Sequence, residues 1–358
     1  MSFNTRNVLS EIPSYDVVEK DWPIKVNANE CGMNLPPMVA ERVMSRLSRI
    51  AFNRYPNEQY LALTEAIGRS FGLQPDNVLL GSGSSEIIEK VFYAFGGGRD
   101  RKIVYPWPSF SMYPIYAKAA EAEGVAFELS ADDNYELDPK KFIDFVKKEN
   151  PSLVVICNPN NPTGTVIKKS DVEYIAQNVD CALLIDEAYI DFDISESVTD
   201  VLLKYPNMMI ARTFSKAFGL ASARVGYMLA SKSVVDIIGR AFMPYHMNVL
   251  SLATADIVYQ MRHEYVPRIQ MMIAERRRMS SLLAKLPGVT VYPSETNFIL
   301  IHVPDAAKLN KYLVSKGIGV RYFSKAPALK NCLRISMGLR EENDSWYNAI
   351  KIFLEGRV

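Results

Sequence analysis

Hydrophobic positions along the chain fall into two rhythms. From about residue 76 to 230, short and nearly continuous apolar runs alternate with longer stretches of helical spacing. Val78-Leu79-Leu80 runs into the segment GSGSSE (81–86) and then into Ile87-Ile88-Glu89-Lys90-Val91-Phe92, which predicts strand, tight turn and helix. Further strands are predicted at Ile103–Tyr105, Ser152–Cys157, Ala182–Ile185, Asn207–Ala211 and Arg224–Leu229. Continuous apolar strands belong in a sheet covered on both faces. Their alternation with helices predicts an open α/β fold with a mostly parallel sheet, whose ligands bind beyond the carboxyl ends of the strands. GSGSSE, the loop NPNNPTG (158–164) and Asp186 each follow a predicted strand, so they are expected to converge on one crevice.

From about residue 248 the rhythm changes. Long helical segments cover roughly 248–285, followed by short strands near 289–292, 297–302, 318–322 and 332–336, with helices near 305–316 and 341–354. This reads as a smaller α+β domain. The expected organisation is an N-terminal arm (1–45) packed on the small domain, a large domain (46–245) and a small C-terminal domain (246–358).

Composition narrows the function. With 358 residues, 48% of them hydrophobic, the chain has ample material for two cores. The formal net charge is +1, so no global field draws it to nucleic acid or a membrane surface, and a local pocket is the place to look for partners. No apolar run approaches the ~20 residues that span a bilayer, and the N-terminus lacks the pattern of a secretory signal. Cys31, Cys157, Cys181 and Cys332 form no C-x-x-C pair, and His246, His263 and His302 have no metal-ligand spacing, so no metal site is expected. A reducing, cytoplasmic setting fits this usage.

The candidate chemistry centres on Lys216 in RTFSKAFG. A lone lysine is ordinarily a solvated charge. Here Thr213 and Ser215 supply hydroxyls, Gly219 permits a tight backbone and Arg224 adds a fixed cation. That set suits a phosphate beside an aldehyde, and lysine is the residue that forms a Schiff base with pyridoxal. Asp186 ends an apolar strand in LLIDEAYID, where a buried carboxylate needs a cation. A pyridinium N–H would serve; a loop or cap carboxylate is the plain alternative. Tyr189 is either packing or a donor to a ring hydroxyl. Asn161 in NPNNPTG either aims into the pocket or makes a local turn. In GSGSSE, Ser84 and Ser85 open a helix whose N–H groups bind phosphate or are simply capped.

Together these motifs resemble fold-type I pyridoxal 5′-phosphate enzymes, and among them the histidinol-phosphate aminotransferase family. The resemblance runs through NANE (27–30), NRYPN (53–57), GSGSSEII (81–88), PSFSMY (108–113), NPNNPTG (158–164), DEAY (186–189), TFSKAFGLASARVGY (213–227), TNFIL (296–300), GVRYF (319–323) and LRISMG (333–338). It implies a large domain with a mostly parallel mixed sheet, a smaller α+β domain and a homodimer. It also implies roles. Lys216 would carry the cofactor, Asp186 would pair with the ring nitrogen, and Asn161 and Tyr189 would face the ring oxygen. Ser84, Ser85, Thr213, Ser215 and Arg224 would hold the phosphate, Phe110 would stack on the ring, and Tyr55 would reach the partner subunit's phosphate. Arg334 would bind the substrate carboxylate and Arg321 its phosphate, with Asn29 and Tyr15 also on the substrate side. Three positions depart from the family's usual residues: Ser85 stands where Asp is common, Phe110 where Tyr is usual, and Cys31-Gly32 where Asn-Pro is usual.

The resemblance thus implies transamination between histidinol phosphate and 2-oxoglutarate, with L-glutamate as donor, in histidine biosynthesis. An aromatic amino-acid aminotransferase or a phosphothreonine decarboxylase-like enzyme would use the same cup. A cofactor-sensing transcription regulator would need a DNA-binding module, and residues 1–45 show no basic helix-turn-helix pattern.

Overall fold

The computed structural model describes residues 6–12, 20–98 and 100–356. Helix α1 (Asn7–Ser10), strand β1 (Ile24–Lys25), and helices α2 (Pro37–Leu47) and α3 (Asn57–Ser70) come first. Strands and helices then alternate as β2 (Val78–Gly81), α4 (Gly83–Phe95), β3 (Lys102–Trp107), α5 (Met112–Ala119), β4 (Glu123–Glu128), α6 (Pro139–Glu149), β5 (Leu153–Cys157), α7 (Lys169–Asn178) and β6 (Ala182–Asp186). Strands β7 (Met208–Thr213) and β8 (Gly226–Ala230) complete the large sheet, followed by α8 (Lys232–Gly239), α9 (Val249–Gln260) and α10 (Val266–Leu283). The remainder is β9 (Thr290–Val291), β10 (Phe298–His302), α11 (Ala306–Ser315), β11 (Ile318–Gly319), β12 (Arg321–Tyr322), β13 (Cys332–Ser336) and α12 (Arg340–Leu354).

The seven-stranded sheet runs β2-β8-β7-β6-β5-β3-β4. Strand β8 is antiparallel to both neighbours, while the β7-β6-β5-β3-β4 pairs are parallel. Strands β5 and β7 are buried along their whole length, and β6 at every residue but Ala182, as continuous apolar runs require. Successive side chains leave opposite faces. Leu183, Ile185, Met208 and Ile210 enter one core with residues of α3, α6, α7 and α9. Leu184, Val155, Met209 and Ala211 enter the other with residues of α4, α5 and α8. Register brings Cys157, Asp186 and Ala211 side by side, and likewise Gly81, Gly226 and Thr213. The carboxyl ends of β2, β5, β6 and β7 and the amino end of β8 therefore share one edge of the sheet.

The smaller sheet is antiparallel, in the order β12-β13-β10-β9. Its period-two pattern sends Leu333, Ile335, Ile299 and Ile301 into a third core with Met279, Leu283, Leu309 and Trp346. The opposite face carries Arg321, Arg334, Ser336, Phe298 and Leu300, by the pairings Arg321↔Arg334, Leu300↔Arg334 and Phe298↔Ser336. Phe298 packs there against Tyr189 and Ala188, so this face meets the edge of the large sheet.

The cores divide the chain at places the sequence rhythm does not mark. Helix α9 lies beyond the boundary expected at 245, yet Leu252, Ala255 and Val258 join the large-sheet core. Helix α10 is the bridge: Met272 and Ile273 pack beside Tyr189, and Met279 and Leu283 lie in the small core. The arm expected at 1–45 is also divided, since Val26 joins the small core while Val39 and Val43 of α2 join the large one. Among the described residues, no helix is long and apolar enough to cross a membrane.

Candidate active site

Asp186 is the last residue of β6 and is 3% exposed. Its Oδ2 accepts from Tyr113 Oη at 2.8 Å and its Oδ1 from Ala188 N at 3.2 Å. Burial pushes its carboxyl up to about 6, against the pull of these two donors. Among the described residues no basic side chain is hydrogen-bonded to it. A carboxylate held dry and without a cation is costly for stability alone, which makes it a fit for a cation that arrives with a ligand.

Lys216 follows β7 on the tight loop that Gly219 turns with φ +64°. Its Nζ donates to Ala28 O at 3.0 Å and lies 5.8 Å from the Tyr189 ring centre. Burial, and next the charge of Arg334, lower this amine to about 8, with Glu30 and Asp186 opposing the drop. The neutral amine needed for attack on an aldehyde is therefore more accessible near neutral pH than in an ordinary lysine.

Beside these two groups, the first turn of α4 holds Ser84 and Ser85. Ser82 N donates to Glu86 Oε2 at 2.5 Å, which commits the first donor of the turn to a cap. Two glycines let other chain segments approach the turn. A Cβ on Gly83 would meet Arg224 Nη2 at 2.6 Å, and one on Gly226 would meet Ser84 N at 2.3 Å. Arg224 itself has φ +51° and donates from Nη1 to Ala221 O at 3.2 Å. Thr213 Oγ1 accepts from Ser215 N at 3.1 Å and donates to Ser215 Oγ at 3.0 Å, which turns the Ser215 proton away from Thr213. A helix N-terminus, a guanidinium and paired hydroxyls thus share one cup, the chemistry that binds a phosphate.

The NPNNPTG loop aims one of its asparagines. Asn158 is tied to Ile167, and Asn160 to Ser109, Pro108 and Thr163. Asn161 remains, and its Oδ1 accepts from Arg334 Nη1 at 2.5 Å. Arg334 Nη2 donates to Asn27 O at 2.8 Å. Arg321, its cross-strand partner, is half-buried on the same sheet face. Phe110 packs edge-on against Tyr113 at 5.5 Å, beside the Asp186 carboxylate. The structure thus brings Lys216, Asp186, Tyr189, Asn161 and Arg334 around one space, with the cup of Ser84, Ser85, Thr213, Ser215 and Arg224 at its side.

Other expected residues stand differently. Tyr55 is 74% exposed and stacks on Tyr245, with ring centres 4.2 Å apart. Tyr15 lies outside the described residues. Asn29, expected on the substrate side, is 1% exposed and its side chain is committed to Tyr189 and Ser336. Sequence reasoning passed over Tyr113, whose spacing of three from Phe110 was the available signal, and Ser336, two residues after Arg334 on the same strand face.

These residues fit pyridoxal phosphate: an uncompensated buried carboxylate, an amine near neutrality and an anion cup that two glycines keep open. The aminotransferase class I and II family matches residues 23–350 of the chain. The chain belongs to this family. A histidinol-phosphate aminotransferase of Thermoanaerobacter pseudethanolicus is 37% identical over 349 residues, covering 98% of each chain. The solved histidinol-phosphate aminotransferase of Sinorhizobium meliloti, in complex with pyridoxal-5′-phosphate, superposes with a TM-score of 0.88 at 23% identity, covering 100% of this chain and 99% of that one. An L-threonine-O-3-phosphate decarboxylase from Porphyromonas gingivalis has a TM-score of 0.80 at 22% identity, covering 93% and 99%. The fold is that of the fold-type I enzymes, and this aminotransferase places its candidate chemistry where that fold places ligands, at the carboxyl edge of the sheet.

Proposed function

We propose that this aminotransferase carries pyridoxal 5′-phosphate on Lys216 and transfers the amino group of L-glutamate to imidazole-acetol phosphate, giving L-histidinol phosphate and 2-oxoglutarate. The observation that carries the substrate is the cross-strand pair Arg321↔Arg334, two guanidinium groups on the sheet face that meets Asp186 and Lys216. L-Glutamate, with a carboxylate at each end, suits both forks, and histidinol phosphate, with a phosphate and no carboxylate, suits one of them. The full-length similarity to the Thermoanaerobacter pseudethanolicus enzyme supports the same reading.

Bound pyridoxal phosphate supplies an aldehyde that links to amines and a protonated ring that withdraws electrons from them. Asp186 would hold the proton on the ring nitrogen, in a dry setting that strengthens such a pairing. Asn161 and Tyr189 would hold the ring oxygen, and Phe110 would pack on the ring. Ser84, Ser85, Thr213, Ser215 and Arg224 would hold the phosphate. Lys216, as a free amine, would serve as the base and then the acid for the proton that moves during transamination. Arg334 orients the substrate carboxylate, where it exists, and Arg321 the phosphate.

The site is completed by a second copy of the chain, with Tyr55 reaching the partner's phosphate cup. Phe52, Tyr55 and Met243, 72%, 74% and 76% exposed, form the apolar surface that the second copy covers. The setting is the cytoplasm.

Absorbance of the purified, cofactor-loaded protein tests the reading. The cofactor band should bleach with glutamate and with histidinol phosphate, and bleaching with phenylalanine alone would overturn the substrate. Arg321→Gln should raise KM for histidinol phosphate about tenfold or more, the worth of one lost charge-assisted bond. The same two cations suit a phosphorylated amino acid that loses its carboxylate, and release of carbon dioxide distinguishes that reaction.

A further inference from the structure

Three consecutive residues touch three side chains of the site, each from a different stretch of the chain. Asn27 O accepts from Arg334 Nη2 at 2.8 Å, Ala28 O accepts from Lys216 Nζ at 3.0 Å, and Asn29 Nδ2 donates to Tyr189 Oη at 2.8 Å. The backbone of Asn29 is left-handed, with φ +55°, a conformation that asparagine tolerates better than most residues. Asn29 is also fixed from the small domain. Its N donates to Ser336 Oγ at 2.9 Å, Ser336 Oγ donates to Asn29 Oδ1 at 3.1 Å, and Asn297 Nδ2 donates to Asn29 O at 3.1 Å.

The direction of these bonds has a consequence for Tyr189. Ser336 Oγ accepts from a backbone N–H, so its single proton is available for the Asn29 amide oxygen. That choice turns the amide nitrogen toward Tyr189. The Tyr189 oxygen is then the acceptor on that side, and its one proton must point elsewhere. We propose that Asn29, held by Ser336, is a positioning residue that directs the Tyr189 hydroxyl proton onto the ring oxygen of the cofactor. This rests on the reading that a pyridoxal ring lies beside Tyr189. Two domains then act on one proton: Ser336 comes from the small sheet and Tyr189 follows β6 of the large one.

A proton donated to the ring oxygen stabilises its anion and weakens that oxygen's hold on a neighbouring proton. The measurement is the pH midpoint of the bound cofactor's absorption band in the holoenzyme. Tyr189→Phe removes the donor and should raise the midpoint by about one pH unit or more. Asn29→Asp presents a side chain that only accepts, so Tyr189 turns its proton away from the ring and the midpoint rises as well. In a double-mutant cycle of Tyr189→Phe with the uncharged Asn29→Gly the two shifts should not add, because residue 29 has no phenol proton to direct once residue 189 is Phe. Asn29→Gly, which keeps the left-handed backbone without a charge, should raise the midpoint by part of the Tyr189→Phe shift. Additive shifts in the cycle, or an unmoved midpoint in Asn29→Gly, would overturn the role of Asn29. An unmoved midpoint in Tyr189→Phe with cofactor bound would instead overturn the placement of Tyr189 at the ring.

Discussion

Asp186 and Glu187 are neighbours in sequence, both buried, and they occupy opposite kinds of environment. On one side of the strand end, Glu187 Oε2 accepts from Arg212 Nε at 2.9 Å and from Ser197 Oγ at 3.0 Å and forms an ion pair with Arg212 Nη2 at 2.7 Å, while Oε1 accepts from Val198 N at 2.9 Å. The guanidinium in turn lies over the Phe71 ring at 5.0 Å. On the other side, Asp186 has a phenol and one backbone N–H, and burial pushes it up to about 6. One carboxylate has its cation built into the fold. The other has no basic side chain hydrogen-bonded to it among the described residues, which suits the ligand-borne cation proposed above. A buried charge already paired is structural, and one left short of a partner marks chemistry.

The comparison breaks first at turnover. Asp186→Asn should lower kcat about 10²–10³-fold with a much smaller change in substrate KM, because charge at the ring nitrogen counts most in the transition state. Steady-state kinetics measure this split, and an unchanged kcat would count against the role of Asp186. Glu187→Gln should do the reverse. Breaking its buried pair with Arg212 should cost about 3 kcal/mol or more of stability, read by denaturant unfolding, while the protein that remains folded keeps its kcat within a few-fold.

A smaller effect has a sign that separates the two acids. In the cofactor-free protein, the folded-state carboxyl of Asp186 lies at about 6, above its ordinary 3.8. The stability contributed by its proton is therefore fully present below about pH 4 and lost as pH rises through about 6. Asn carries no charge to lose. Asp186→Asn should thus stabilise the cofactor-free protein at pH 8, by at most about 3 kcal/mol, and leave it nearly unchanged at pH 4. Thermal melting at the two pH values checks this. Smallest of the set, Tyr113→Phe removes the one side-chain donor to Asp186 among the described residues. It should raise that carboxyl further and reduce kcat roughly tenfold, the worth of one hydrogen bond to a charged group. The loss should shrink as pH rises.

Much of this difference was hidden in the letters DEAY. The runs at 152–157, 182–185 and 207–211 announce buried parallel strands, and the residues that follow them announce a shared edge. Lys216, Asp186 and the GSGSSE turn are legible for that reason. Alternation around Arg334 also gives a strand with one polar face. Long-range pairing is not legible. Nothing local says that Glu187 meets Arg212, that Tyr113 reaches Asp186 from α5, or that Asn29 turns to Tyr189 and Ser336. Strand β4 was missed because, at the sheet edge, its sequence EGVAFE is half exposed and lacks the apolar run of the central strands. The affiliation of α9 was missed because that helix is buried on most of its faces, so no amphipathic stripe points to one core.

The covalent anchor is the claim on which the rest depends, and it can be read without any assay of turnover. Protein loaded with pyridoxal phosphate is reduced with borohydride, digested, and searched by mass spectrometry for the pyridoxyl label. The label should fall on Lys216, and the Asp186→Asn protein should carry it at the same residue. A label on another lysine of a folded, cofactor-binding protein, with Lys216 unmodified, would contradict the account.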